Sequence, residues 1–149
     1  MRILVINGPN INLLGLREPD LYGKQDYAAL CRYITGQAEI LGLEIHLFQS
    51  NWEGAIVDEI QRAYGLYDGI LINPAAYTHT SVAILDALKA VGLPTAEVHL
   101  TDIGKREAFR SFSYVSLYAQ KTIMGMGFDG YGEGLKFLKQ YILQEAKND

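Results

Sequence analysis

Glu97 and His99 stand two residues apart in Glu97-Val98-His99-Leu100-Thr101-Asp102, where an apolar run ends. On a strand, that spacing puts both side chains on one face. A carboxylate beside an imidazole fixes its tautomer and raises its basicity. The pair could therefore handle a proton, and a polar strand end satisfied by hydrogen bonds would read the same way. A second region is Asn73-Pro74-Ala75-Ala76-Tyr77-Thr78-His79-Thr80-Ser81. Its small residues and proline leave room for a ligand. Thr80 or Ser81 could cap the following helix, whose N-terminus favours an anion. His79 stands at that edge, either as a site residue or as an exposed histidine on a capped turn. Arg110 could grip a carboxylate through its two-pronged fork, although loop arginines are mostly just solvated.

Arg17 and Tyr22 form a third candidate pair. A free tyrosine titrates near pH ~10. It serves as a base only if cations stabilise the phenolate, and each unit of lowering needs about 1.4 kcal/mol. Arginine suits that task because it stays charged. The same spacing also fits a packed tyrosine and a solvated arginine. Asn10, Asn12, Asn51 and Asn73 add neutral donors that can hold a water or an enolate oxygen, or serve as turn residues. Asn7-Gly8-Pro9-Asn10 lacks the spacing and lysine of a nucleotide phosphate loop. Ser81 lies outside any Gly-x-Ser-x-Gly elbow. His79 and His99 have no third ligand at zinc spacing.

The elements that must position these residues alternate. Apolar runs at Arg2–Ile6, Glu44–Phe48, Gly69–Ile72, Pro94–Val98 and Lys121–Met124 read as strands. Helical patterns fall at Gln25–Leu41, Glu53–Tyr64, Ser81–Ala90 and Gly132–Glu145. The first is expected to bury Ala28, Cys31, Ala38 and Leu41, the second Ile56, Val57, Ile60 and Ala63, and the third Val82, Leu85 and Leu88. Strand and helix in alternation predict an α/β fold: a flavodoxin-like three-layer sandwich around a five-stranded parallel sheet, one domain across residues 1–149. Ligands bind such sheets beyond the carboxyl ends of the strands. That rule gathers the 7–24, 49–53, 73–80 and 99–113 loops on one rim. The 7–24 loop is about three times the usual strand-to-helix length. It carries Leu13, Leu14, Leu16, Leu21 and Tyr22, which a disordered linker would lack, and reads as a lid.

At 149 residues, the chain can bury a sizeable core. Its net charge of −4 argues against nucleic acid as a partner. No apolar run reaches the ~18 residues that span a bilayer, and Ile3–Ile6 is too short for a signal-peptide core. The expected compartment is therefore the cytoplasm. The single cysteine, Cys31, rules out an intrachain disulfide and a cysteine metal cluster, and is expected as a small core residue.

Taken in order, NGPNINLLGLREPDLYG at 7–23, QSNWEG at 49–54, NPAAYTHTSVAILDAL at 73–88, EVHLTD at 97–102, REAFRSFS at 106–113 and GMGFDGY at 125–131 resemble type II 3-dehydroquinate dehydratase over almost the whole chain. The resemblance implies a metal-free and cofactor-free dehydration of 3-dehydroquinate in the shikimate and quinate pathways. An enolate forms, and the hydroxyl leaves with anti stereochemistry. It makes Tyr22 the base and Arg17 its phenolate-stabilising partner on the lid. Asn10 would hold a water against the enolate oxygen, and His99, oriented by Glu97, would be the acid. Asn73, His79 and Arg110 would bind substrate hydroxyls and carboxylate, with the backbone amides of Leu100 and Thr101 also on the carboxylate. Asp86 would reach a neighbouring subunit's site in a homododecamer, a tetramer of trimers.

Three segments depart from the family pattern. Thr101-Asp102 replaces Ser-Asn, which adds a negative charge near an anion pocket. Trp52 replaces a histidine or small polar residue. Gly132-Glu133-Gly134 replaces a more apolar helix start. A silent flavodoxin-like module that binds a small carboxylate is the competing reading. A signalling receiver domain fails, because Asn7 and Asn10 stand where its acidic cluster would be.

Overall fold

The computed structural model describes residues 1–16 and 25–148. Among them lie five strands: β1 (Arg2–Asn7), β2 (Glu44–Gln49), β3 (Gly69–Asn73), β4 (Thr95–His99) and β5 (Lys121–Met124). Four α-helices accompany them: α1 (Tyr27–Leu41), α2 (Glu53–Arg62), α3 (Val82–Val91) and α4 (Asp129–Asn148). The strands form one sheet in the order β2-β1-β3-β4-β5, and every pairing is parallel. The fold is α/β and flavodoxin-like, with helices on both faces of the sheet.

Strand parity sorts the core. Ile3 and Val5 of β1 pack with Leu71, Ala96 and Val98 beneath α1 and α4. Leu4 and Ile6 point the other way, with Ile70 and Ile72, against α2 and α3. Burial on both faces explains why the central strands read as unbroken apolar runs. Each fully buried Ile or Leu contributes about 1.5–3 kcal/mol of transfer free energy. Such continuous runs cannot slip register without displacing many of these contacts.

The helix faces differ in detail from the expectation. In α1 the buried residues are Leu30, Ile34 and Ala38, spaced by four. Ala28 is exposed, while Cys31 and Leu41 are half-buried. Asp26 caps α1 by accepting from Ala29 N, so the helix proper starts at Tyr27 rather than Gln25. In α3, Val82 is exposed and Ile84, Leu85, Ala87 and Leu88 are buried. The cap is Ser81, whose Oγ accepts from Ile84 N at 3.0 Å. In α2, Ile56 and Ile60 are buried as expected.

Helix α4 begins at Asp129, three residues before the expected start at Gly132. The glycines at its head are packing residues. A methyl at Gly134 would stand 2.5 Å from Leu71 Cδ1, and one at Gly130 would stand 3.1 Å from Val98 Cγ2. Small residues let α4 lie directly on the sheet, which places Tyr131 at full burial. No helix among the described residues is long and apolar enough to cross a membrane.

Gly8 shows how tightly the rim loops meet. Its amide donates to Asn73 O at 2.8 Å, and a Cβ there would lie 2.5 Å from Pro74 O. Backbone cannot yield as a side-chain tip can. Gly8→Ala is therefore expected to destabilise the protein by about 1–3 kcal/mol, read as a lower urea midpoint. An unchanged midpoint would show that the two loops can separate at little cost.

Candidate active site

In register, Asn7 is flanked by Gln49 and Asn73. Three neighbouring strands, β2, β1 and β3, thus end in a row of amides where the apolar runs stop. Gln49 Nε2 lies within hydrogen-bond distance of Gly8 O, Asn12 Oδ1 and Asn51 Oδ1, at 3.2, 3.3 and 3.2 Å. Asn51 Oδ1 also accepts from Asn10 N at 3.0 Å. This holds Asn10 in a left-handed conformation (φ 68°) at the start of a 3-10 turn, Ile11–Leu13. Tyr77 OH closes the set by donating to Asn51 O at 2.7 Å. The 49–53 loop therefore braces the floor under Asn10. The Trp52 side chain is 77% exposed.

The rim loops enclose a cleft lined by seven of the predicted residues: Asn10, Asn73, His79, His99, Leu100, Thr101 and Arg110. Ile11, Leu14 and Ile103 give it apolar walls, and Arg106 adds a second guanidinium. Asp86 is exposed on α3 and does not line the cleft. Asp102 is also outside its lining. Its carboxylate caps the next 3-10 turn through Gly104 N at 3.0 Å and lies 3.7 Å from Lys105 Nζ. The carboxylate at position 102 thus has local partners, and it lines an adjoining hollow with Leu100 and Thr101. Arg17 and Tyr22 lie outside the described residues.

Glu97 and His99 sit within β4 itself, which runs to His99, one residue beyond the apolar pattern that stops at Val98. Their shared face is the one away from α4. His99 Nε2 is 2.6 Å from Glu97 Oε1. A carboxylate only accepts, so Nε2 carries the hydrogen. Nδ1 has no hydrogen-bond partner among the described residues, and the ring lines the cleft. Glu97 is fully buried. Its Oε1 also meets Thr78 Oγ1 at 2.5 Å and Ser113 Oγ at 2.7 Å, and Oε2 accepts from Thr122 Oγ1 at 3.2 Å. Thr78 and Ser113 are themselves 2.7 Å apart. Each hydroxyl has one hydrogen, so only two of the three contacts among Thr78, Ser113 and Oε1 are satisfied at once.

Burial by itself would push the Glu97 carboxyl up. The hydrogen bond and charge of His99, with the hydroxyls of Thr78 and Ser113, outweigh it and hold the carboxyl below its ordinary value. The linkage sign follows. A lowered folded value contributes stability above the unfolded carboxyl value near 4.5, and that contribution is lost as pH falls through the folded value. The stability gap between wild type and Glu97→Gln is therefore expected to narrow in acid, measured by urea unfolding at stepped pH. A gap that stays constant below pH ~4 would show that Glu97 is neutral in the folded protein.

His79 Nδ1 is 2.7 Å from Phe112 O. A carbonyl only accepts, so Nδ1 carries the hydrogen and Nε2 is left over for the cleft. Arg110 Nε lies 3.0 Å from Glu107 Oε2, close enough for charge attraction, but its N–H is not aimed at that oxygen. The guanidinium carbon sits 5.2 Å from the centre of the Phe109 ring. Stacked and steered in this way, the fork remains available to an anion. Sequence pattern does not reveal the roles of Thr78, Ser113 and Thr122 around Glu97, or of Tyr131 and Asn7 beneath Asn73. The hydroxyl residues are visible near the strand-end motifs, but nothing local marks their convergence.

A cleft at the carboxyl edge of a parallel sheet is where α/β proteins of this architecture bind their ligands, and this one carries an imidazole–carboxylate pair in its wall. Comparison with known proteins narrows the class. The model of the family described as dehydroquinase class II matches residues 1–139. The chain is 51% identical over 142 residues to the 3-dehydroquinate dehydratase of Geotalea daltonii, covering 95% of this chain and 99% of that protein. It is 50% identical over 149 residues to the 3-dehydroquinate dehydratase of Carboxydothermus hydrogenoformans, covering 100% of this chain and 96% of that one. Among solved structures, the type II dehydroquinase from Butyrivibrio crossotus superposes with a TM-score of 0.91 at 45% identity, over 93% of this chain and 97% of that one. The chain belongs to the dehydroquinase class II family, and with it to the hydro-lyases.

Proposed function

We propose that the protein dehydrates 3-dehydroquinate to 3-dehydroshikimate by anti elimination through an enolate. The observation that carries this reading is the buried Glu97–His99 pair at 2.6 Å in the cleft of a dehydroquinase-family fold. The phenolate of Tyr22, stabilised by Arg17, removes the proton beside the ketone. The electron pair moves onto the carbonyl oxygen, where a water held by Asn10 donates to it. As the enolate collapses, the C1 hydroxyl leaves with a proton from His99, so the net loss is one water. Glu97 orients the ring and stabilises its cationic form. Asn73 and His79 hold substrate hydroxyls. Arg110 and the amides of Leu100 and Thr101 take the carboxylate. No cofactor enters the scheme.

The assay follows ultraviolet absorbance of the conjugated enone product from 3-dehydroquinate. Turnover is expected from the wild type. Tight binding of the substrate without turnover would favour a silent binding module instead. The assembly we propose is a homododecamer, a tetramer of trimers, with Asp86 of one copy completing a neighbour's site. Its exposure on α3 is consistent with that role. Light scattering is expected to give the mass of twelve chains, and a fully active monomer would remove Asp86 from the site. On this reading the protein works in the cytoplasm, in shikimate or quinate metabolism.

A further inference from the structure

We propose that Tyr131 is a positioning residue that sets the direction of the Asn73 amide and so the affinity for substrate; this rests on the dehydratase reading. Asn73 and Tyr131 are 58 residues apart in sequence, yet Asn73 Nδ2 donates to Tyr131 OH at 2.9 Å. Tyr131 OH in turn donates to Asn7 Oδ1 at 2.7 Å. All three side chains are buried. On its other side, Asn73 Oδ1 accepts from Ala75 N at 3.1 Å. Ala75 is held there at φ 51°, an uncommon value for a residue other than glycine.

The polarity of this chain is determined from one end. A backbone N–H can only donate, so Ala75 requires the oxygen of the Asn73 amide. Nδ2 must then face Tyr131, whose oxygen accepts and whose single hydrogen goes to Asn7 Oδ1. Turning the Asn73 amide over would set Nδ2 against the Ala75 N–H and leave two buried donors facing each other. Burial also pushes the Tyr131 phenol well above its ordinary range, so it stays a neutral relay. Nδ2 has a second hydrogen not needed by Tyr131. With the amide clamped at both ends, that hydrogen and the free side of Oδ1 keep fixed directions where Asn73 lines the cleft.

Tyr131→Phe keeps the ring and deletes the relay. Asn73 is then held at one end only. KM for 3-dehydroquinate is expected to rise about threefold to tenfold, with kcat within about twofold of wild type. A purely structural role would lower the thermal midpoint and the active fraction and leave KM alone. The second measurement is a double-mutant cycle. In an Asn73→Ala background, Tyr131→Phe should add no further rise in KM, because the group it positions is gone. Additive effects, or an unchanged KM in the single variant, would overturn the inference. If Tyr131→Phe does not fold, Tyr131→Met replaces it in the cycle, since it fills the buried space but offers Asn73 no hydroxyl; the same criteria apply. Absence of wild-type turnover would overturn the dehydratase reading and this inference together. Turnover with an unmoved KM would overturn this inference alone.

Discussion

His99→Gln is expected to lower kcat for 3-dehydroquinate by about 10²–10⁴, with KM within a few-fold of wild type and the thermal midpoint nearly unchanged. Glutamine is the informative replacement. Its amide can donate to Glu97 as Nε2 does, so the buried carboxylate keeps a partner. Alanine would strip that partner, and breaking a buried pair typically costs about 3–5 kcal/mol, which would confuse a lost fold with lost chemistry. Thr78, Ser113 and Thr122 continue to hold Glu97 in either variant. What glutamine cannot do is release a proton to a departing hydroxyl. The geometry also says which nitrogen should act. Nε2–H is committed to Glu97 at 2.6 Å, so the acid proton would be delivered from Nδ1. A kcat close to wild type would show that the hydroxyl leaves without help from this ring. A raised KM at unchanged kcat would make His99 a binding residue.

Parity makes part of this site legible in the sequence alone. Residues 97 and 99 share a face in any strand, and the rule that ligands bind beyond the carboxyl ends gathers around them the 73–80 and 99–113 loops and the described part of the 7–24 loop, all of which line the cleft, whereas the 49–53 loop braces Asn10 instead. Ser81 is readable as a cap because its hydroxyl acts on an amide three residues away. What escapes depends on contacts that are distant in sequence. Thr78 and Ser113 lie 19 and 16 residues from Glu97, and Tyr131 lies 124 residues from Asn7. Strand order brings such partners together, and local pattern does not encode strand order. The face of α1 is hard to read for a related reason. Ala28 and Cys31 have sizes that suit either a core or a surface, so only the larger Leu30 and Ile34 reveal which stripe is buried. The first turn of α4 is missed because Gly130 lies before the expected start at Gly132, whereas in the fold Gly130 and Gly134 are the close seat of the helix on Val98 and Leu71.

Tyr22→Phe carries the other large expected effect, a loss of turnover to background in the enone assay, and Arg17→Ala should approach it. The two variants fail for different reasons, and the difference is measurable. Phenylalanine retains the ring but has no oxygen to take a proton, so no pH restores activity. On the proposed mechanism, Arg17→Ala keeps the oxygen and removes its cation. An ordinary phenol titrates near pH ~10, and bringing it to neutrality takes roughly 4 kcal/mol of differential stabilisation. A base works only when deprotonated. Removing the cation raises its titration point, so the ascending limb of kcat/KM against pH should move upward, toward the ordinary tyrosine value, and strong alkali should recover part of the rate. An unmoved limb would mean that Arg17 binds substrate without activating Tyr22. Substantial turnover by Tyr22→Phe would require a different base. His79 would then be the first group to test, because its Nδ1 is tied to Phe112 O at 2.7 Å and its Nε2 is left over for the cleft.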